Sequence, residues 1–194
     1  MGDVTDLSQV KNHYDAIKKA WGGLDWAILN AGVGDAMSAR EFNAETYHWT
    51  FKTNIGGVVN WLEAVLPDMI AARSGTVAGI ASLAAWRGLP NSGPYCASKA
   101  ALVSLLESTR VDLRATGVSV VTVCPGFVKS EMTDRNDPKD MMFLMPVEEG
   151  AACILRGIEL KKRVIHFPWQ LSYPMKYIVR TMPDFLYDWV IGKL

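Results

Sequence analysis

Cysteine is scarce: the 194 residues hold three, Cys96, Cys124 and Cys153, and no Cys-x-x-Cys pair. An odd, unspaced set excludes a disulfide framework and fits a reducing compartment. Neither sign of charge is in excess, with 20 Lys+Arg against 20 Asp+Glu and a pI near 6.8, so the basic footprint of a nucleic-acid binder is missing. No apolar run reaches the ~18 residues of a membrane span, and no basic start followed by an apolar stretch marks a signal peptide. Met1-Gly2 opens like a myristoylation signal, but Asp6 stands where that motif needs Ser or Thr. His13, His48 and His166 lack mutual ligand spacing, so no metal site is expected. These absences point to a soluble, cytoplasmic protein.

What is present is the composition of a globular chain, 49% apolar and 21% charged, at a length that suits one domain with a real core. Trp26–Leu29, Thr76–Ile80, Val118–Val123 and Arg163–Phe167 are short apolar runs bounded by Gly, Asn, Pro or charge, and read as buried strands. Amphipathic stretches of helical length lie before and between them: Leu7–Trp21, Glu45–Ala72, Tyr95–Thr116 and Val147–Leu160. Gly22-Gly23, Ser74-Gly75 and Gly117 supply glycine punctuation at helix ends. The alternation predicts an α/β fold with a mainly parallel sheet and helices on both faces. No repeat, low-complexity tract or linker divides the chain.

Tyr95 and Lys99 stand four apart at the start of a helix initiated by Pro94, so they share one helix face. An ammonium beside a phenol stabilises phenolate and is expected to draw the Tyr pKa down from ~10 toward the range of a general acid/base. Ser82 comes 13 residues earlier, past the C-terminal end of the Thr76–Ile80 strand, the edge of an α/β sheet where ligands bind. Tyr-x-x-x-Lys occurs often by chance; its spacing from Ser82, on that strand and helix, makes it specific.

Gly75-Thr-Val-Ala-Gly-Ile-Ala-Ser82 followed by Tyr95-Cys-Ala-Ser-Lys99 resembles the catalytic core of the short-chain dehydrogenases/reductases. Three further landmarks agree in collinear order: Asn30-Ala-Gly32 after a strand, Asn54 in Thr53-Asn-Ile-Gly-Gly57, and Cys124-Pro-Gly-Phe-Val-Lys-Ser130, with Ser130 in place of the usual Thr. The resemblance implies a Rossmann-type doubly wound sheet and an NAD- or NADP-dependent oxidoreductase interconverting a small secondary alcohol and a carbonyl. On it, Tyr95 is the acid/base, Ser82 orients the substrate oxygen, Lys99 lowers the Tyr pKa and holds the nicotinamide ribose, and Asn54 positions a relay water. Asp3 and Val4 are expected at the adenine, Asn30, Ala31 and Gly32 along the cofactor, and Pro125, Gly126, Val128 and Ser130 at the nicotinamide. The resemblance also implies a homodimer or homotetramer through helices 45–72 and 95–116, which would cover Trp49, Trp61 and Leu62. Ala97, Ser98, Ala100, Ala101, Ser104 and Ser108 give the second helix a small-residue face for close packing.

The sequence departs from that family at its start. None of the 16 glycines forms a GxGxxG-like cluster near the N-terminus. The family's first three strands, its phosphate loop and its NAD/NADP selector would occupy roughly 50–60 residues before Asp3. Strands 4 to 7 of the family order 3-2-1-4-5-6-7 remain, contiguous, with strand 4 as an apolar open edge. The 194 residues are therefore read as one partial domain, expected to be weakly stable and without measurable activity alone. An inactive fragment, or a module acting only through association, is the alternative function. Residues 133–160 are expected as a substrate lid and 167–194 as a tail. There Phe185, Leu186, Trp189 and Val190 share a helical face, for a lid or an oligomer contact. A peripheral membrane helix is the other reading of that face, weakened by Asp184 and Asp188.

Overall fold

The computed structural model describes residues 2–135, 137, 139 and 141–192. Helix α1 (Leu7–Trp21) opens on Asp6, whose carboxylate accepts from the N–H groups of Ser8 and Gln9, and closes on Gly22 in the left-handed conformation. It is followed by β1 (Trp26–Leu29), α2 (Ala44–Phe51), a π-helical turn (Lys52–Gly56) and α3 (Gly57–Ala72). Then come β2 (Thr76–Ile80), α4 (Gly93–Asp112), β3 (Ser119–Pro125), α5 (Val147–Glu159) and β4 (Val164–Phe167). The chain continues through α6 (Trp169–Pro174), a second π-helical turn (Met175–Val179) and α7 (Asp184–Ile191).

The four strands are parallel, in the order β1-β2-β3-β4, as the contiguous half-sheet requires. One face of the sheet carries α1, α3 and α4 over a core of Leu29, Leu62, Val65, Val77, Leu102 and Leu106. The other carries α5 over Val121, Val123, Ile158, Ile165 and Phe167. β2 and β3 are covered on both sides and their residues are almost all buried, which is why they read as unbroken apolar runs. β1 lies at the sheet edge, with Trp26 and Ile28 exposed on alternate positions.

Several expectations are corrected here. Leu62 is buried in the core and Trp61 packs against it, so neither needs a partner chain; Trp49 is exposed. Within the 133–160 segment expected as a lid, α5 packs Ile158 and Gly157 on the sheet. Before α5, Met145 bridges to Val128; Asn136, Pro138 and Asp140 lie outside the described residues. α7 buries Tyr187, while Phe185 and Trp189 of the predicted apolar face point outward. Among the described residues, the helical run Ala44–Ala72 is long and apolar enough by composition to cross a membrane, yet Val58, Leu62, Val65 and Met69 of it belong to the core.

Candidate active site

The site forms beyond the C-terminal ends of β1, β2 and β3. After β1, the chain turns through residues 30–34, and three side chains converge on that turn. The Asn54 amide oxygen accepts from Val33 N–H at 2.8 Å, and its nitrogen donates to Val33 O at 2.9 Å and to Ser98 Oγ at 2.9 Å. Ser98 in turn donates to the Tyr95 carbonyl at 2.8 Å. Asn54 lies within the π-helical turn and is fully buried, so the local widening of the helix delivers this amide inward.

Lys99 is likewise buried, and its Nζ donates to Ile80 O at 2.7 Å. Two of the three ammonium protons stay available for a ligand. Gly32 admits this ammonium: a side-chain carbon there would stand 3.3 Å from Lys99 Nζ and 3.4 Å from Asn54 Oδ1. Gly34 lies flat against the Tyr95 ring, and a carbon there would meet Tyr95 Cδ2 at 2.7 Å. The turn after β1 is therefore the floor on which Asn54, Tyr95 and Lys99 rest.

Ser82 follows β2 in extended conformation, and its Oγ accepts from Ala84 N–H at 3.1 Å. Its hydroxyl lies close enough to the Tyr95 phenol to lower the phenol pKa. Burial pushes the phenol above its ordinary pKa, and the Ser82 hydrogen bond opposes that rise. The expected depression of Tyr95 by Lys99 is not what the geometry gives. The Lys99 ammonium is 5.6 Å from the ring centroid and spends its short hydrogen bond on Ile80, so desolvation prevails. Lys99 is itself lowered to about 8 by burial. Cys124, fully buried near the end of β3, is pushed up to about 11 by burial.

The other expected residues separate into two places. Val4, Asn30 and Ala31 line one cleft of about 270 Å³ beside β1, together with Gly57 and Trp61. Val4 is fixed there by Asn60, which donates to its carbonyl at 2.9 Å. Asp3 is exposed, is not part of that lining, and turns its carboxylate onto Thr5 N–H at 2.8 Å. Beyond β3, Pro125 ends the strand, Gly126 N–H donates to Phe167 O at 2.7 Å, Val128 bridges to Met145, and Ser130 closes a turn with Thr133. Residues missed in the sequence are Val33 and Gly34, and Ser98, expected on the small packing face, is instead fully buried between Asn54 and the Tyr95 carbonyl. Gly34, two positions past Gly32, was the only visible signal of the missed pair.

Residues 1–140 match the sequence model of the family described as short chain dehydrogenase. The chain belongs to the short-chain dehydrogenase/reductase family. A relative within it, an uncharacterized oxidoreductase of Myxococcus xanthus, is 39% identical over 192 residues, covering 99% of this chain and 75% of that protein. Other curated dehydrogenases and reductases are matched over only about half their length, 54% for a sorbitol dehydrogenase of Cereibacter sphaeroides at 35% identity. Two solved structures share the fold of this family member. One, from Burkholderia phymatum in complex with NAD, aligns with a TM-score of 0.81 at 24% identity over 90% of this chain and 72% of that one. The second, from Burkholderia cenocepacia in complex with NADP, gives 0.79 at 22% identity over 91% and 73%.

Proposed function

We propose that these residues form the catalytic half of an NAD(P)-dependent oxidoreductase that interconverts a secondary alcohol and a carbonyl. The observation that carries the reading is the convergence of Tyr95, Lys99 and Asn54 on residues 32–34, with Ser82 close enough to the phenol to lower its pKa, at the ligand-binding edge of a parallel sheet. A high phenol pKa keeps Tyr95 protonated at neutral pH, the form that donates a proton to a developing alkoxide. Ser82 orients that oxygen. Lys99, with two free ammonium protons, suits the ribose hydroxyls of a dinucleotide and supplies positive charge that favours phenolate after the proton has left. Asn54 has its amide committed to Val33 and Ser98, so a proton relay at this residue runs through its main chain. The bound dinucleotide would supply hydride transfer; the protein positions and polarises.

The cofactor fit is good at two ends. The Gly32 approach leaves Lys99 room beside the nicotinamide ribose, with Pro125, Gly126, Val128 and Ser130 at the nicotinamide itself. The cleft with Val4, Asn30 and Ala31 suits the adenine. Between them, pyrophosphate needs the backbone N–H groups of a glycine-rich turn at a helix N-terminus, and these 194 residues contain no such turn. A second reading is a family member that works through association. The exposed small-residue face of α4, Ala97, Ala100, Ala101, Ser104 and Ser108, supports a homo-oligomer under either reading. The unpaired thiols support a cytoplasmic setting.

The deciding experiment is a titration with NADH and NADPH followed by nicotinamide fluorescence. The 194-residue chain is expected to show no saturable binding in the micromolar range. The same chain behind a βαβ unit with a glycine-rich loop is expected to bind and to reduce ketones. In that extended chain, Tyr95→Phe is expected to cut kcat by about 10²-fold or more, the scale of a lost general acid, while leaving dinucleotide affinity nearly intact. Retention of more than a few per cent of kcat would refute the assignment.

A further inference from the structure

Arg87 lies between Ser82 and Tyr95 in sequence, yet its partners are more than 90 residues away. Its Nη1 donates to the Arg180 and Met182 carbonyls at 3.3 and 3.0 Å, and its Nη2 to Asp184 Oδ1 at 2.6 Å. The guanidinium carbon stands 4.3 Å from the Tyr187 ring centroid, and the Tyr187 hydroxyl donates to the Gly88 carbonyl. The Arg87 side chain is only 18% exposed, against 94% for Asp184. A planar fork with five donors can serve two carbonyls, a carboxylate and an aromatic face at once, which an ammonium cannot.

What this grip holds in place matters for the site. Leu171 and Met175 of the tail pack against the cluster that contains Leu83, Trp86 and Cys124. A carbon at Gly126 would stand 3.3 Å from both Leu171 Cδ2 and Leu83 Cδ1, so tail and catalytic segment meet over that glycine. Ser172, fully buried, pairs with His166 Nδ1 at 2.9 Å, and the His166 ring stands edge-on to Trp86 at 5.7 Å. The tail lies outside the 1–140 family match.

We propose that Arg87 is a positioning residue that locks the tail, residues 169–191, onto the Ser82–Tyr95 segment, so that Leu171 and Met175 wall the site beside Ser82 and Gly126 and favour substrates whose carbonyl bears an apolar group. The substrate half of this statement rests on the oxidoreductase reading; the lock does not.

The lock is tested in the 194-residue chain carrying Cys153→Ser, by the rate at which a maleimide labels Cys124, localised by mass spectrometry. Arg87→Ala is expected to raise that rate at least tenfold without faster amide exchange in α3. Arg87→Lys, which keeps the charge and loses the fork, is expected to fall between. An unchanged rate in Arg87→Ala, or a rise matched by faster exchange throughout α3, overturns the proposal. The wall is tested in the extended chain: Arg87→Ala should raise KM for an aryl ketone at least tenfold more than for acetone, and equal changes overturn it. If the parent chain reduces neither ketone, the oxidoreductase reading fails, and the labelling comparison alone upholds or overturns the lock.

Discussion

One side-chain amide, that of Asn54, closes both backbone groups of Val33, a residue 21 positions earlier, with bonds of 2.8 and 2.9 Å. It acts as a strand neighbour would, on a segment that lies outside the sheet. Replacing it with alanine leaves the part-buried N–H and carbonyl of Val33 without their partner and removes the donor to Ser98 Oγ, which keeps its bond to the Tyr95 carbonyl. Asn54→Ala is expected to cost about 2–4 kcal/mol, from unmet groups at roughly 1–3 kcal/mol each. Urea denaturation measures the loss, and hydrogen exchange at Val33 should accelerate well before global unfolding.

Gly34 is the contact surface of the catalytic ring. Gly34→Ala places a carbon 2.7 Å from Tyr95 Cδ2, and the ring must shift, because the helix that carries it is anchored through Ser98 and Lys99. The expected cost is about 1–3 kcal/mol of overpacking, with reduced turnover in the extended chain. Gly88→Ala, where nothing lies within 4 Å, is the control. Equal thermal midpoints for the two variants would refute the close contact.

Thr50 is fully buried, and its hydroxyl lacks a hydrogen-bond partner among the described residues. Thr50→Val keeps the shape and removes the unmet group. It is expected to be neutral or to stabilise by up to about 1 kcal/mol, whereas burial of a satisfied hydroxyl would make it destabilising. Thermal unfolding at pH 7 gives the sign.

The pH dependence of stability carries the signature of Lys99, whose pKa falls from 10.5 to about 8 on folding. A depressed value in the folded state means that the unfolded chain binds the extra proton. Stability from this group is therefore present above pH 10.5 and lost as pH falls through 8, so ΔG should rise between pH 8 and 10. Lys99→Met is expected to flatten that rise and to shift ΔG by a constant amount from the lost Ile80 hydrogen bond. Parallel curves for the two proteins would show that Lys99 titrates normally.

Much of this molecule was legible in the chain itself. Trp26–Leu29 and Thr76–Ile80 are strands over the residues their apolar runs mark, and Leu7–Trp21 is a helix between its Asp6 cap and Gly22. These are local properties: hydrophobic period, capping chemistry and glycine punctuation act within a few residues. The positions of Ser82, Tyr95 and Lys99 followed from the same logic, since a strand end and one helix face fix all three. What only the tertiary structure decided are relations across long separations. The sign of the Tyr95 shift depended on how deeply the fold buries the phenol, with the Lys99 ammonium bonded to Ile80 and 5.6 Å from the ring centroid. The Asn54–Val33 brace and the grip of Arg87 on residues 180–187 join segments 21 to nearly 100 positions apart. No spacing rule reaches that far, because such contacts are set by where packing of the sheet and helices happens to bring the chain back.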